Sequence, residues 1–293
     1  MSSIQKPVIY GLSAIVILGT AYSVLYETYL DTSNPLLTHL PHPLSNTHYF
    51  ASKKNFLNVY FIKKAWGWTS AIFLFSWLTS PQQQQQQNRN QATTRLQRFA
   101  TWLLLTGVWI TFTSWFFGPA ILERVVAASG GECILPGPDN THLVVPNEYC
   151  FTRSTISTAS HPHLFQEYLT ANGGNFAADA VLKGVPRLRR GHDVSGHLFL
   201  LTMSILLLTN QLQASFKAGQ RYWSQLHQVS VVANALLIAI WLFASATTSV
   251  YFHSPFEKFT GFALGLAAYG LTQIPVALLQ PAQPVDMGKG KAQ

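Results

Sequence analysis

The sequence predicts a single all-α integral membrane domain over residues 1–293, with six transmembrane helices and a long irregular lumenal loop, and three observations lead there. Only 10% of the 293 residues are charged while 48% are hydrophobic, against roughly 25% charged in an average soluble domain. Six apolar runs approach the ~20 residues that a helix needs to cross a hydrocarbon core ~30 Å thick. The polar, glycine-rich and proline-rich residues collect between those runs.

The first run, Val8–Leu30, is N-terminal and follows Lys6. Its apolar part is too long for a secretory signal, and "YETYLDTSNP" follows it instead of a small-residue cleavage site, so it is kept as a helix. The second run is Ala65–Ser80. Residues Pro81–Arg98, "PQQQQQQNRNQATTRLQR", can neither bury apolar surface nor enter lipid and read as a disordered cytosolic connector. The third run is Phe99–Leu122. Glu123–Ser195 then forms a connection long enough to be functional, carrying both cysteines and much of the basic charge. The last runs are His197–Leu212, Val229–Tyr251 and Phe259–Leu279.

An even number of spans puts both termini on one side. Positive charge favours a cytosolic side for them, blurred by Lys53, Lys54, Lys63 and Lys64 on the other. The long connection then lies in a lumen. There Cys133 and Cys150 are free to pair if the compartment is oxidising, or to stand as unrelated thiols. Part of the net charge of +8 suits anionic lipid head groups.

Chemistry gathers at two points. "GHDVSGHLFLLT" begins at Gly191 and "YFHSPFEKFTG" at Tyr251. The fourth span leaves the lumenal face near His197, and the fifth returns to it at Tyr251, so His197 and His253 share one membrane surface. Ser254, Pro255 and Glu257 match a helix start with a capping box. His253 then precedes the positive end of the last helix, whose field keeps an imidazole neutral and able to act as nucleophile or base. Glu257, four residues on, suits orientation of that imidazole; His192 and Asp193 stand as supporting groups. Backbone N–H groups at Ser195 and Gly196 suit an anion. Lys183, Arg187, Arg189 and Arg190 bring phosphate-binding cations close to the histidines.

Together these residues suggest a site for breaking a phosphorus–oxygen bond at a membrane surface, one histidine attacking phosphorus and the other protonating the leaving oxygen. Neither a metal-ligand cluster nor a glycine-rich phosphate loop is present in the sequence, so no metal or cofactor is expected.

The two segments resemble the signature segments of the fat storage-inducing transmembrane (FIT) family, particularly its fungal branch, and the six-span pattern extends the resemblance over nearly the whole chain. The glutamine tract and much of the N-terminal third lie outside it. The resemblance implies kinship with lipid phosphate phosphatases, residence in the endoplasmic reticulum membrane with a lumenal site, and cleavage of fatty acyl-coenzyme A (acyl-CoA) to acyl-4′-phosphopantetheine and adenosine 3′,5′-bisphosphate. It also implies that His253 is the nucleophile and His197 the acid, and that the protein supports lipid-droplet formation, membrane homeostasis and phospholipid synthesis. Lys183 and Arg190 have the spacing of the phosphatases' Lys and Arg, with Gly191 replacing their proline. Two other activities use the same features: a lipid phosphatase acting on phosphatidic or lysophosphatidic acid, and a non-enzymatic binder of diacylglycerol or triacylglycerol. Membrane lipids are expected partners; nucleic acid is not.

Overall fold

The computed structural model describes residues 5–30, 41–81, 88–114, 119–137, 142–171 and 183–278. Among the described residues four helices are long and apolar enough to cross a membrane: α1 (Gln5–Leu25), α7 (Gly196–Ala218), α8 (Gln225–Tyr251) and α9 (Pro255–Ala277). Two more helices, α2 (Ala65–Thr79) and α3 (Asn88–Thr113), lie against them. α2 has only 15 residues, and α3 includes the glutamine- and arginine-containing start that lowers its hydropathy.

α7 is the axis of the bundle, packing against α1, α2, α3, α8 and α9. Within its apolar window 78% is buried inside the protein, against 22% for α1. The large apolar side chains left outside, such as Leu18 on α1, Leu236 on α8 and Ile274 on α9, face where lipid would lie. Close approach is permitted by glycine. A Cβ on Gly265 of α9 would meet the Thr202 Cβ at 2.7 Å, and one on Gly19 of α1 would meet the Ser249 Cβ at 2.7 Å.

The expected connector is only partly one. Its glutamines 82–87 lie outside the described residues, but from Asn88 the chain is already helical. Glutamine, alanine and arginine propagate a helix well once an apolar segment anchors it. That start is also packed: Arg98 Nη1 donates to Gln211 Oε1 at 2.9 Å, and Gln97 Nε2 to the Val276 carbonyl at 3.2 Å. The third run also breaks, with α3 ending at Thr113 and a separate helix α4 (Ile121–Ala128) beginning beyond Pro119, a residue whose missing N–H and ring disfavour a helix interior.

The loop expected to be irregular is a folded cap. After α4 come strands β1 (Glu132–Pro136) and β2 (His142–Val145), helix α5 (Asn147–Phe151), β3 (Ile156–Ser157), helix α6 (Pro162–Ala171), β4 (Lys183–Gly184) and β5 (Arg187–Arg189). An antiparallel sheet of order β2-β1-β5 pairs Cys133 with Val145 on one side and with Leu188 on the other. The Cys133–Cys150 disulfide ties β1 to α5. Around it Leu135, Val145, Ile156 and Phe165 form a small core of their own. Strands of two to five residues leave almost no alternation to read, and the disulfide supplies constraint that so small a core lacks.

Candidate functional site

One end of the bundle gathers the C-terminal ends of α1 and α8, the N-terminal ends of α7 and α9, and the cap. The chain between α8 and α9 is only Phe252–Ser254. At its centre His253 has φ of +62°, a left-handed conformation costing a non-glycine residue about 1–2 kcal/mol. Both neighbouring helix ends enforce it. The Phe252 N–H still donates to the Thr248 carbonyl at 3.1 Å. On the other side the capping box is complete, with the Ser254 N–H donating to Glu257 Oε2 at 2.8 Å.

His197 lies in the first turn of α7, where the Ser195 Oγ caps the helix by accepting from the Leu198 N–H. The two helix starts are bonded to each other. The Ser195 N–H donates to the Glu257 carbonyl at 3.1 Å, and the Asp193 N–H donates to Glu257 Oε1 at 3.2 Å. Gly261 makes this possible: a Cβ there would collide with the Ser195 carbonyl oxygen and come to 3.0 Å from its Cβ. Lys258 Nζ, one residue after Glu257, donates to Ser23 Oγ of α1 at 2.7 Å.

His197 and His253 line a single cavity of about 300 Å³, together with Lys53, Asn55, Asn58, Lys63, Arg189 and Asp193. His253 Nδ1 faces two carboxylates at ion-pair distance and without a hydrogen bond, 3.5 Å from Glu257 Oε2 and 4.0 Å from Asp193 Oδ2. Nε2 is thereby the ring nitrogen left for a substrate. About half of the Asp193 side chain is open, yet the protein crowded round that opening desolvates it. This holds its pKa above the usual carboxylate range, against the pull of His253. Lys53 and Arg189 have lowered pKa values, through enclosure first and then through repulsion from other cations, Arg187 among them. Among the described residues no cluster of three His, Cys, Asp or Glu is arranged to hold a metal.

The remaining expected site residues sit as follows. His192 is directed to α9, its Nε2 2.9 Å from Thr260 Oγ1 and its ring 4.7 Å from that of Phe256. The Ser195 N–H is already bonded within the protein, and Gly196 opens α7. Lys183 pairs with Ser157 through β4 and is exposed. Arg190 Nη1 bonds Glu132 Oε2 at 2.8 Å. Arg187 and Arg190 line a second cavity in the cap, and neither lines the one with the histidines. Of the cations that do, Arg189 belongs to the basic stretch singled out in the sequence, whereas Lys53 and Lys63 were missed. The signal for the two lysines was their membrane side, since the spans put residues 53–64 on the same face as the histidines.

The sequence profile described as "Fat storage-inducing transmembrane protein" (FIT) matches residues 46–235 and 220–272. The chain is 25% identical over 260 residues to the acyl-coenzyme A diphosphatase of Schizosaccharomyces pombe, covering 88% of this chain and 80% of that protein. It is 27% identical to the acyl-coenzyme A diphosphatase of Xenopus tropicalis, over 76% of this chain and 71% of the relative. Against that of Homo sapiens it is 26% identical, over 75% and 70%. No solved structure matches. With the profile spanning both histidines and most of the chain between Asn46 and Thr272, this protein belongs to the fat storage-inducing transmembrane family.

Proposed function

We propose that the protein is a fatty acyl-coenzyme A diphosphatase of the endoplasmic reticulum membrane, releasing acyl-4′-phosphopantetheine and adenosine 3′,5′-bisphosphate and thereby supporting lipid-droplet formation, membrane homeostasis and phospholipid synthesis. The observation that carries this reading is the cavity into which two histidines from different helices converge beside Lys53, Lys63 and Arg189. The relatives' names point to the same substrate.

In the proposed step the Nε2 lone pair of His253 forms a bond to phosphorus as the bridging P–O bond breaks, and the leaving oxygen takes a proton from His197. Water then attacks the phosphorus, its proton passes to His197, and the electrons of the P–N bond return to His253. Glu257 orients His253 through Nδ1. Lys53 and Arg189 offset charge on the equatorial oxygens.

Six spans with cytosolic termini and a lumenal site fit this reading. α2 and α3 run beside the four long helices: Lys63, just before α2, lines the histidine cavity, while Thr79 at its end meets His227 and Ser230 at the start of α8. α3 reaches from Arg98 against Gln211 to Phe112 against Phe199. A disulfide in the cap suits an oxidising lumen.

Product analysis by mass spectrometry tests the proposal, with purified protein in detergent given acyl-CoA and phosphatidic acid side by side. Wild type should yield the two named products. His253→Ala should abolish them, and His197→Ala should lower kcat about 10²–10⁴-fold, with partial rescue by a substrate whose leaving group needs no proton. Phosphate release from phosphatidic acid alone would favour a lipid phosphatase. Equal turnover by folded His253→Ala and wild type would sink the mechanism and favour neutral-lipid binding.

A further inference from the structure

A cavity of about 300 Å³ stands at the bottom of the ~300–1,000 Å³ range that holds one drug-sized ligand, and acyl-CoA is larger than such a ligand. Beside it lies a second cavity of about 430 Å³, within the cap, and the two share Arg189 and Asp193 as common wall. Its lining is divided in character. Leu122, Val126 and Val185 offer aliphatic surface, while Arg153, Arg187, Arg189 and Arg190 offer four guanidinium groups against the carboxylates of Glu123 and Asp193.

Two of these arginines are already engaged, Arg153 with Glu123 at 3.2 Å and Arg190 with Glu132 at 2.8 Å. Among the described residues no ion pair is formed by Arg187 or Arg189. Both lie on β5, two residues apart, so their side chains project from one face of the strand about 7 Å apart. Leu188 between them turns the other way, onto the disulfide core. Lys53 stands close enough for both arginines to lower its pKa. Lys53, Arg187 and Arg189 repel one another, the Asp193 carboxylate offsetting part of their charge, and with the aliphatic residues of the same cap cavity they suit a polyanion with an apolar ring at its end.

Given the substrate proposed above, we infer that the cap cavity is the nucleotide subsite. Arg189 and Lys53 meet the diphosphate at the junction, Arg187 meets the phosphate on the 3′ carbon of the ribose, and the adenine rests against Leu122 and Val126. The acyl-pantetheine half then extends the other way, past Leu30, Ile62 and Phe252. The 3′-phosphate is the group by which this subsite distinguishes acyl-CoA from other diphosphates.

The test compares acyl-CoA with the same thioester of 3′-dephospho-coenzyme A. Wild type should prefer the 3′-phosphorylated substrate by about tenfold to a hundredfold in kcat/KM, the size of a charge-assisted hydrogen bond. In Arg187→Ala that ratio should collapse toward one, through KM. A second measurement uses wild type alone: adenosine 3′,5′-bisphosphate should inhibit at least about tenfold better than adenosine 5′-monophosphate. If wild type cleaves both thioesters equally well and the two nucleotides inhibit alike, the subsite is wrong while the diphosphatase reading stands. A wild-type ratio that persists in Arg187→Ala overturns the role of Arg187. If acyl-CoA is not cleaved at all, the reading of the histidine site falls, and this inference with it.

Discussion

Glu257 carries more of the site than any other single residue outside the histidines. One oxygen closes the capping box on Ser254, the other accepts from the Asp193 N–H, and the carboxylate faces His253 Nδ1. The glutamine isostere has only one acceptor oxygen, so its NH₂ must confront one of those two backbone N–H groups. Glu257→Gln should therefore cost about 1–3 kcal/mol of stability and lower kcat more than it raises KM, since His253 loses its orientation. Thermal unfolding in detergent beside steady-state kinetics checks this, and unchanged values of both would remove Glu257 from a positioning role. The capping box was legible in the sequence because it is confined to Ser254–Glu257, and the nearness of His197 to His253 followed from span direction. That Arg189, alone of the basic stretch, and Lys53 line the histidine cavity was not legible. Their places depend on how β5 pairs with β1 and on how the turns before α2 fold back, which no local pattern encodes.

The pairing of α7 with α9 sets the geometry between the two histidines. Gly261 is the contact that lets the starts of these helices interlock, whereas Gly270, further along α9, has nothing within 4 Å of where a Cβ would be. Gly261→Ala should cost about 1–3 kcal/mol through overpacking and depress activity by separating His253 from His197. Gly270→Ala should be neutral to stabilising by about 1 kcal/mol, as alanine is the better helix former. Melting temperatures and activities of the pair decide it, and equal effects would mean that the contact at Ser195 is not limiting. Apolar run length located α1, α7, α8 and α9 well. It misplaced the ends of α3, because glutamine and arginine are good helix formers with no place in lipid, and it could not anticipate the cap, whose longest strand among the described residues is Glu132–Pro136.

Across the whole molecule, the segment after α1 closes the end of α8. Thr28 Oγ1 and the Leu30 N–H donate to the carbonyls of Val250 and Tyr251, and His42 Nε2 lies 2.9 Å from the same Tyr251 oxygen. His42 Nδ1 accepts from the Leu44 N–H at 3.0 Å, so Nε2 carries the proton and the ring is neutral. Burial holds its pKa below the ordinary value, against the opposing effect of its bond to Tyr251. The unfolded chain therefore binds more protons than the fold below about pH 6.5, and this contribution to stability, intact above that pH, is lost as the pH falls toward the depressed folded value. Unfolding temperatures from pH 7.5 to 5 should show the decline, and His42→Gln, whose amide still donates to Tyr251, should flatten that part of the profile. A decline of equal size in His42→Gln would assign it to other groups. The same closure has a consequence for synthesis. The walls of the histidine cavity come from residues translated early, such as Leu30 and Lys53, and from His253, translated only as α9 begins. A nascent chain stalled before Pro255 has its cap and its earlier helices but no α9 to lock the second histidine, so hydrolytic capacity arrives only after α9 has been made.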